Sequence, residues 1–195
     1  MALGESFEVL GLSWFHIHFI ENPGMAFGIE WGGHLGKLAL SIFRIFAIFI
    51  IGYILVKMVK QNASIIVLMS ISLIFSGAIG NILDSVFYGL IFSESTTTEI
   101  AALWPENGGY TGFLLGKVVD MFYFPIIDSN WPDWIPLIGG HSFQFFEFIF
   151  NIADTAVFTG TAMVFVFYKQ FFKNPDDIKK EIQKSTDEDL SEFTN

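Results

Sequence analysis

The chain alternates between long apolar blocks and shorter polar stretches. Three blocks are long enough to cross a bilayer, at roughly residues 38–59, 63–83 and 143–167. A helix needs about 20 apolar residues to span roughly 30 Å of hydrocarbon. Inside lipid the backbone must satisfy its own hydrogen bonds, so each block is expected to be a helix. Leu12 to Ile20 follows a different rhythm. Phe15, Ile17 and Phe19 alternate with Trp14, His16 and His18, which predicts a β-strand on or near the membrane surface. Asn22-Pro23-Gly24 then reads as a turn.

Lysine placement orients these elements. Lys57 and Lys60 close the first block, and Lys169, Lys173, Lys179, Lys180 and Lys184 follow the third. The loop from Ser93 to Ser142 carries only Lys117. The excess of Lys and Arg in cytoplasmic loops therefore puts the Gln61-Asn62 turn and the C-terminal tail inside, and the long loop and the N-terminal segment outside. No signal peptide or earlier span is visible that would export Met1 to Gly36, so an upstream transmembrane helix is expected to be missing from this sequence. Residues 1–173 read as one membrane-embedded domain, and residues 174–195 as a polar, solvated cytoplasmic tail.

Composition sharpens the class. Hydrophobic residues make up 52% of the 195, with 24 Phe, and charged residues only 15%, against about 25% in ordinary soluble domains. The formal net charge of -10 argues against a nucleic-acid partner. The lack of Cys excludes disulfides, thiolate metal sites and a cysteine nucleophile. His16, His18, His34 and His141 show no metal-ligand spacing, so no metal is expected. Phosphate-binding, zinc-protease and serine-nucleophile motifs are also missing.

Polar residues within apolar blocks are costly and need a reason. Glu147, Asn151 and Asp154 lie four and three apart, which predicts one helical face in the third block. Asp120 stands in the otherwise apolar run Val118 to Phe124. Two carboxylates brought close together cannot both ionise easily, so one keeps a proton at neutral pH. Such a pair can hydrolyse a peptide: the ionised member takes a proton from water, and the protonated member donates to the developing oxyanion. A bland reading competes, in which an intramembrane Asp only bonds a neighbouring helix. Asn81 and Asp84 share a face at the expected outer end of the second block, and Asn22 and Gly24 precede the first. Ser76, Gly77 and Gly80 suit close helix packing. Arg44 is expected to snorkel or to pair with Glu147 or Asp84. Trp104, Tyr110, Tyr123, Trp131 and Trp134 fit an interfacial aromatic belt or the walls of a lipid path.

Asn22-x-Gly24-x-Ala26-Phe27-Gly28, Gly80-Asn81-x-x-Asp84, Val118-Val119-Asp120 and Phe150-Asn151-x-Ala153-Asp154 occur in this order. Together they resemble the motif set of the lipoprotein signal peptidases (signal peptidase II), over roughly Met1 to Lys173. The long loop and the Phe-rich composition are similar to the Bacteroidetes-type branch.

The resemblance implies an all-α integral membrane protein with a transmembrane helical bundle and a small extracytoplasmic β-cradle. It implies four spans in the family against three visible here, the absent one being the family's first helix with its Asp and Lys. It implies an intramembrane aspartic endopeptidase without a cofactor, with Asp120 and Asp154 catalytic and Asn22, Gly24, Asn81, Asp84 and Asn151 in support. The implied substrates are diacylglyceryl-modified prolipoproteins, cut before the lipidated cysteine, with globomycin as an inhibitor. The implied location is the bacterial inner membrane, multi-pass, with the site near the periplasmic face. Membrane lipids are expected partners, and a monomer is expected. Ser85 departs from the pattern, since the family usually has Arg after Gly-Asn-x-x-Asp; Arg44 is the candidate replacement. The competing readings are a non-enzymatic membrane protein, such as a small transporter or assembly factor, and an inactive truncated homologue.

Overall fold

The computed structural model describes residues 1–23, 33–145 and 148–171. Its element order is β1 (Ser6–Val9), β2 (Leu12–Asn22), α1 (Gly33–Lys60), α2 (Ile65–Ile91), β3 (Val118–Tyr123), β4 (Ile127–Asn130), β5 (Ser142–Phe145), β6 (Ile149–Phe150), α3 (Ile152–Val166) and α4 (Tyr168–Phe171).

Among the described residues two helices, α1 and α2, are long and apolar enough to cross a membrane. On α1, Phe43, Phe46, Phe49 and Tyr53 are more than half exposed. A soluble helix would hide such a face, and a helix apolar on every side belongs in lipid. Ser64 caps α2 by accepting the Val67 N–H, and its hydroxyl donates to Gln170 Oε1 at 2.9 Å.

The packing of α2 against α3 depends on missing side chains. A Cβ on Gly80 would sit 2.8 Å from Ala153 Cβ, and one on Gly160 would sit 2.6 Å from the Ser70 carbonyl. Gly77 meets Ala153 and Val157 just as closely. Small residues let helix backbones approach, as read from Gly77 and Gly80.

Above these helices lies an antiparallel sheet of order β1-β2-β3-β6. Asn22 pairs with Val118, Ile20 with Asp120, and Phe122 with Phe150. The chain between α2 and β3 folds back on the last turns of α2, with Gly116 N–H bonding the Ser85 carbonyl at 2.9 Å and Thr111 N–H bonding that of Gly89 at 3.0 Å.

Three expectations are corrected. The described residues are not all helical: six strands stand beside the helices, where the resemblance implied a small β-cradle and periodicity only the Leu12 to Ile20 strand. The second apolar helix runs on to Ile91, because Ser85 to Ile91 contains no breaker strong enough to end it. The third block is not one helix over 143–167. Its first part contains β5 and β6, and the helix starts only at Ile152. A continuous apolar run does not by itself distinguish strand from helix.

Candidate active site

The sheet and the helices meet where β6 turns into α3. Asn151 is the N-cap of α3: its side chain accepts the Asp154 N–H at 2.8 Å, and Asp154 Oδ2 accepts the Asn151 N–H at 3.4 Å. This reciprocal capping box satisfies two otherwise orphaned amides. It also fixes Asp154 in the first turn, where the helix N-terminus stabilises a negative charge. Asn151 is thus a cap rather than a member of a helical face, and Glu147, the third member of that expected face, lies outside the described residues.

Asp120 arrives from the sheet. Alternation along β3 turns Val118 and Asp120 inward, each 4% exposed. Asp120 Oδ2 accepts from Asn22 Nδ2 at 3.0 Å, and Oδ1 accepts from Asn151 Nδ2 at 2.8 Å. Asn151 Nδ2 also reaches Asn81 Oδ1 at 3.1 Å, and Asn81 Nδ2 donates to Asp154 Oδ1 at 2.7 Å. One unbroken run of side-chain hydrogen bonds therefore links Asn22, Asp120, Asn151, Asn81 and Asp154, bringing together four separate parts of the chain.

Burial raises the Asp120 pKa to about 6, and the nearby negative charges of Asp154 and Asp84 push the same way; hydrogen bonds from Asn22 and Asn151 oppose the rise. An acid titrating there can hold or release a proton close to neutral pH.

Asp84 stands one turn beyond Asn81 on α2. Its Oδ2 accepts the Val119 N–H at 3.3 Å, which ties α2 to β3 next to Asp120, and Tyr88 hydrogen bonds to it as well. It is mid-helix, not at a helix end as expected from sequence. Arg44 on α1 interacts electrostatically with Asp154 and Asp120. Gly24 lies outside the described residues, so the turn expected at Asn22-Pro23-Gly24 is described only as far as Pro23. His16 and His18 flank the Tyr123 ring. Among the described residues no group of three or more potential metal ligands occurs.

Sequence reasoning missed Tyr88 and the Glu21–Lys117 ion pair, which closes at 2.7 Å beside Asn22 and Val118. Lys117 N–H also donates to the Tyr110 hydroxyl at 2.7 Å. Burial raises the Tyr110 pKa to about 12, keeping that hydroxyl protonated. The opposite charges at the β2–β3 register were a usable signal, hidden because the two residues are far apart in sequence.

A cleft of about 480 Å³ opens between α2 and α3, against the asparagine side of the acid pair. Asn81, Asp84, Tyr88, Met121, Phe122 and Asn151 are among its walls. The arrangement offers two hydrogen-bonded acids in different electrostatic settings, beside a largely apolar cleft.

Comparison with known proteins supplies the family. Residues 1–170 match the family described as signal peptidase (SPase) II. A lipoprotein signal peptidase of Porphyromonas gingivalis is 47% identical over 190 residues, covering 97% of this chain and 81% of its own. One from Amoebophilus asiaticus is 34% identical over 186 residues, covering 95% of this chain and 73% of its own. A solved structure, described as a bacterial membrane enzyme determined by the in meso method at 1.9 Å resolution, aligns over 85% of this chain and 76% of its own, with 26% identity and a TM-score of 0.49. With two acids joined through asparagines and a family match over nearly all of the described chain, this protein belongs to the signal peptidase II family of membrane peptidases.

Proposed function

We propose that Asp120 and Asp154 are the catalytic pair of an aspartic endopeptidase that removes signal peptides from diacylglyceryl-modified prolipoproteins. The observation that carries this reading is the hydrogen-bonded run from Asp120 through Asn151 and Asn81 to Asp154.

The two acids take different roles. Asp154 sits at the start of α3 and accepts from Asn81 and the Asn151 amide, a position that suits the base. Asp120 is buried and more easily protonated, so it is the acid. Asp154 draws a proton from a water that attacks the scissile carbonyl. Asp120 donates a hydrogen bond to the developing oxyanion. Collapse of the tetrahedral intermediate expels the amine, which receives the proton first taken by the base. Asn22, Asn81, Asp84 and Asn151 hold the acids in place, and no metal or organic cofactor takes part.

The protein lies in the bacterial inner membrane as a multi-pass chain, with α3 as the third crossing element. Lys57 and Lys60 in the last turn of α1 set the α1–α2 turn in the cytoplasm. The sheet and the acid pair, at the opposite ends of these helices, then face the periplasm. A substrate anchored by its lipid reaches the cleft sideways from the bilayer, with its acyl chains against the exposed apolar helix faces.

The test is cleavage of a diacylated prolipoprotein by the parent, Asp120→Asn and Asp154→Asn, with folding checked by thermal unfolding. Both variants are expected to lose at least about 100-fold in kcat while remaining folded. Retained activity in either folded variant overturns the assignment of that residue.

A further inference from the structure

The strands β4 and β5 form a ribbon of their own, separate from the four-stranded sheet. The ribbon is inserted between β3, which carries Asp120, and β6, which leads to Asn151 and Asp154. It is thus part of the chain that connects the two acids. Its tip is compact: Trp131 N–H bonds the His141 carbonyl and Gly140 N–H bonds the Trp131 carbonyl, both at 2.9 Å. Gly139 packs against the Asp133 and Ile135 carbonyls.

This ordered tip presents apolar side chains outward. Leu137 is 97% exposed and Trp134 80% exposed. Leu137 also has a φ of 73°, a left-handed conformation that favours Gly or Asn and disfavours a branched apolar side chain. At this exposure Leu137 gains almost no packing among the described residues to offset the strain. The same combination recurs at the β1–β2 tip, where Leu10 has φ 55° and is 92% exposed. A two-stranded ribbon by itself is only marginally stable in water.

We propose that the tip of the β4–β5 ribbon inserts into the headgroup–acyl boundary of the leaflet next to the acid pair. Three observations favour lipid as the occupant. The ribbon belongs to a chain in which α1 and α2 are long and apolar enough to cross a membrane, so a bilayer is at hand. Its tip combines Trp with branched aliphatic residues, the pairing that settles at bilayer interfaces. Between Ile127 and Phe145 the only charges are Asp128 and Asp133, so attraction to anionic headgroups plays no part and apolar burial supplies the affinity. The inserted tip steadies the segment that joins the two acids and sets their depth relative to a lipid-anchored substrate. That last consequence rests on the peptidase reading above; the insertion itself does not.

The chain contains no cysteine, so Leu137→Cys can carry a single polarity-sensitive fluorophore. The labelled protein is reconstituted in phosphatidylcholine–phosphatidylglycerol vesicles, with and without lipids brominated on their acyl chains. The expected result is blue-shifted emission that bromine quenches, most strongly when placed high on the chain. Water-like emission without quenching overturns the proposal. Blue-shifted emission without quenching also overturns it, since a protein surface then covers the tip. A second measurement uses Trp134→Ser/Leu137→Ser with unlabelled protein. In vesicles its KM for a diacylated substrate should rise on the order of ten-fold, with kcat in detergent unchanged. An unchanged KM in vesicles overturns the role in substrate presentation.

Discussion

Asn151 joins the two acids: its amide nitrogen donates to Asp120 Oδ1 at 2.8 Å, while its side-chain oxygen accepts the backbone N–H of Asp154 at the same distance. One side chain thus starts a helix and bridges from that helix to a strand. Its carboxamide supplies a donor and an acceptor at once, which neither a carboxylate nor a hydroxyl can do with the same reach. The stability of α3 and the geometry of the site are coupled through this residue.

The two duties can be separated by substitution. Asn151→Ser keeps a good N-cap but is too short to reach Asp120, whereas Asn151→Ala loses both. Losing the cap costs about 0.5–2 kcal/mol. The expected outcome is that Asn151→Ser melts near the parent temperature and Asn151→Ala melts lower, while both lose roughly 100-fold or more in kcat. Steady-state kinetics beside thermal unfolding checks this. Parent-like kcat in Asn151→Ser would show that the link to Asp120 is only structural.

The raised pKa of Asp120, about 6 against an ordinary 3.8, has two signatures. In stability, the folded state keeps a proton between pH 3.8 and 6 that the unfolded chain has released. Stability therefore falls as pH rises through that window and is level above it. Each unit of the shift corresponds to about 1.4 kcal/mol. Asp120→Asn should lose this slope when thermal unfolding is followed from pH 4 to 7. In kinetics, the acid role requires protonated Asp120 in the free enzyme, so kcat/KM should decline above pH 6. Bound substrate excludes water and favours the neutral acid further, so the corresponding limb of kcat should lie at higher pH. A kcat/KM that instead rises through pH 6 would assign Asp120 as the base.

Much of this was legible in the chain. The α1 and α2 spans follow from apolar length, and β2 follows from strict alternation. Asp120, Asn151 and Asp154 could be picked out because they stand in apolar runs, where a polar group needs a partner; the supporting roles of Asn22, Asn81 and Asp84 came from the motif resemblance. Residues 142–150 misled, because apolarity alone fits a buried strand and a buried helix equally. A local signal was present: Asn151 with an acid three residues later is a capping box, and it puts the helix start at Ile152. The pairing of β3 with both β2 and β6 could not be read locally, since it joins segments from opposite ends of the described chain.

Gly77 and Gly160 line the same α2–α3 seam at different distances from the acids. At Gly77 an added methyl group collides with the Ala153 carbonyl, next to Asp154; at Gly160 it collides with that of Ser70, further down the helix. Overpacking of this kind costs about 1–3 kcal/mol. Both Gly77→Ala and Gly160→Ala should lower the melting temperature. Only Gly77→Ala should also reduce kcat per folded molecule, because the displaced turn carries the base. Equal kcat losses in the two variants would mean that the seam acts on activity only through global stability.

Glu21 and Lys117 test whether the β2–β3 register positions the site. The pair closes at 2.7 Å, with the Glu21 side chain only 8% exposed and that of Lys117 30% exposed. Lys117→Met leaves Glu21 buried without its cation, and an unsatisfied buried group costs about 1–3 kcal/mol, more when charged. Glu21→Gln/Lys117→Met removes both charges together and should recover much of that loss, since replacing a whole pair is often close to neutral. Glu21 is the strand neighbour of Asn22, and Lys117 precedes Val118, the residue that pairs with Asn22. Loosening this corner should therefore weaken the hold of Asn22 on Asp120. Without that donor to stabilise the carboxylate, the Asp120 pKa should move further up, carrying the alkaline limb of kcat/KM with it. The double variant should restore both stability and the parent limb. If stability returns while the limb stays displaced, the charges act on Asp120 directly, and the register is not what transmits their effect.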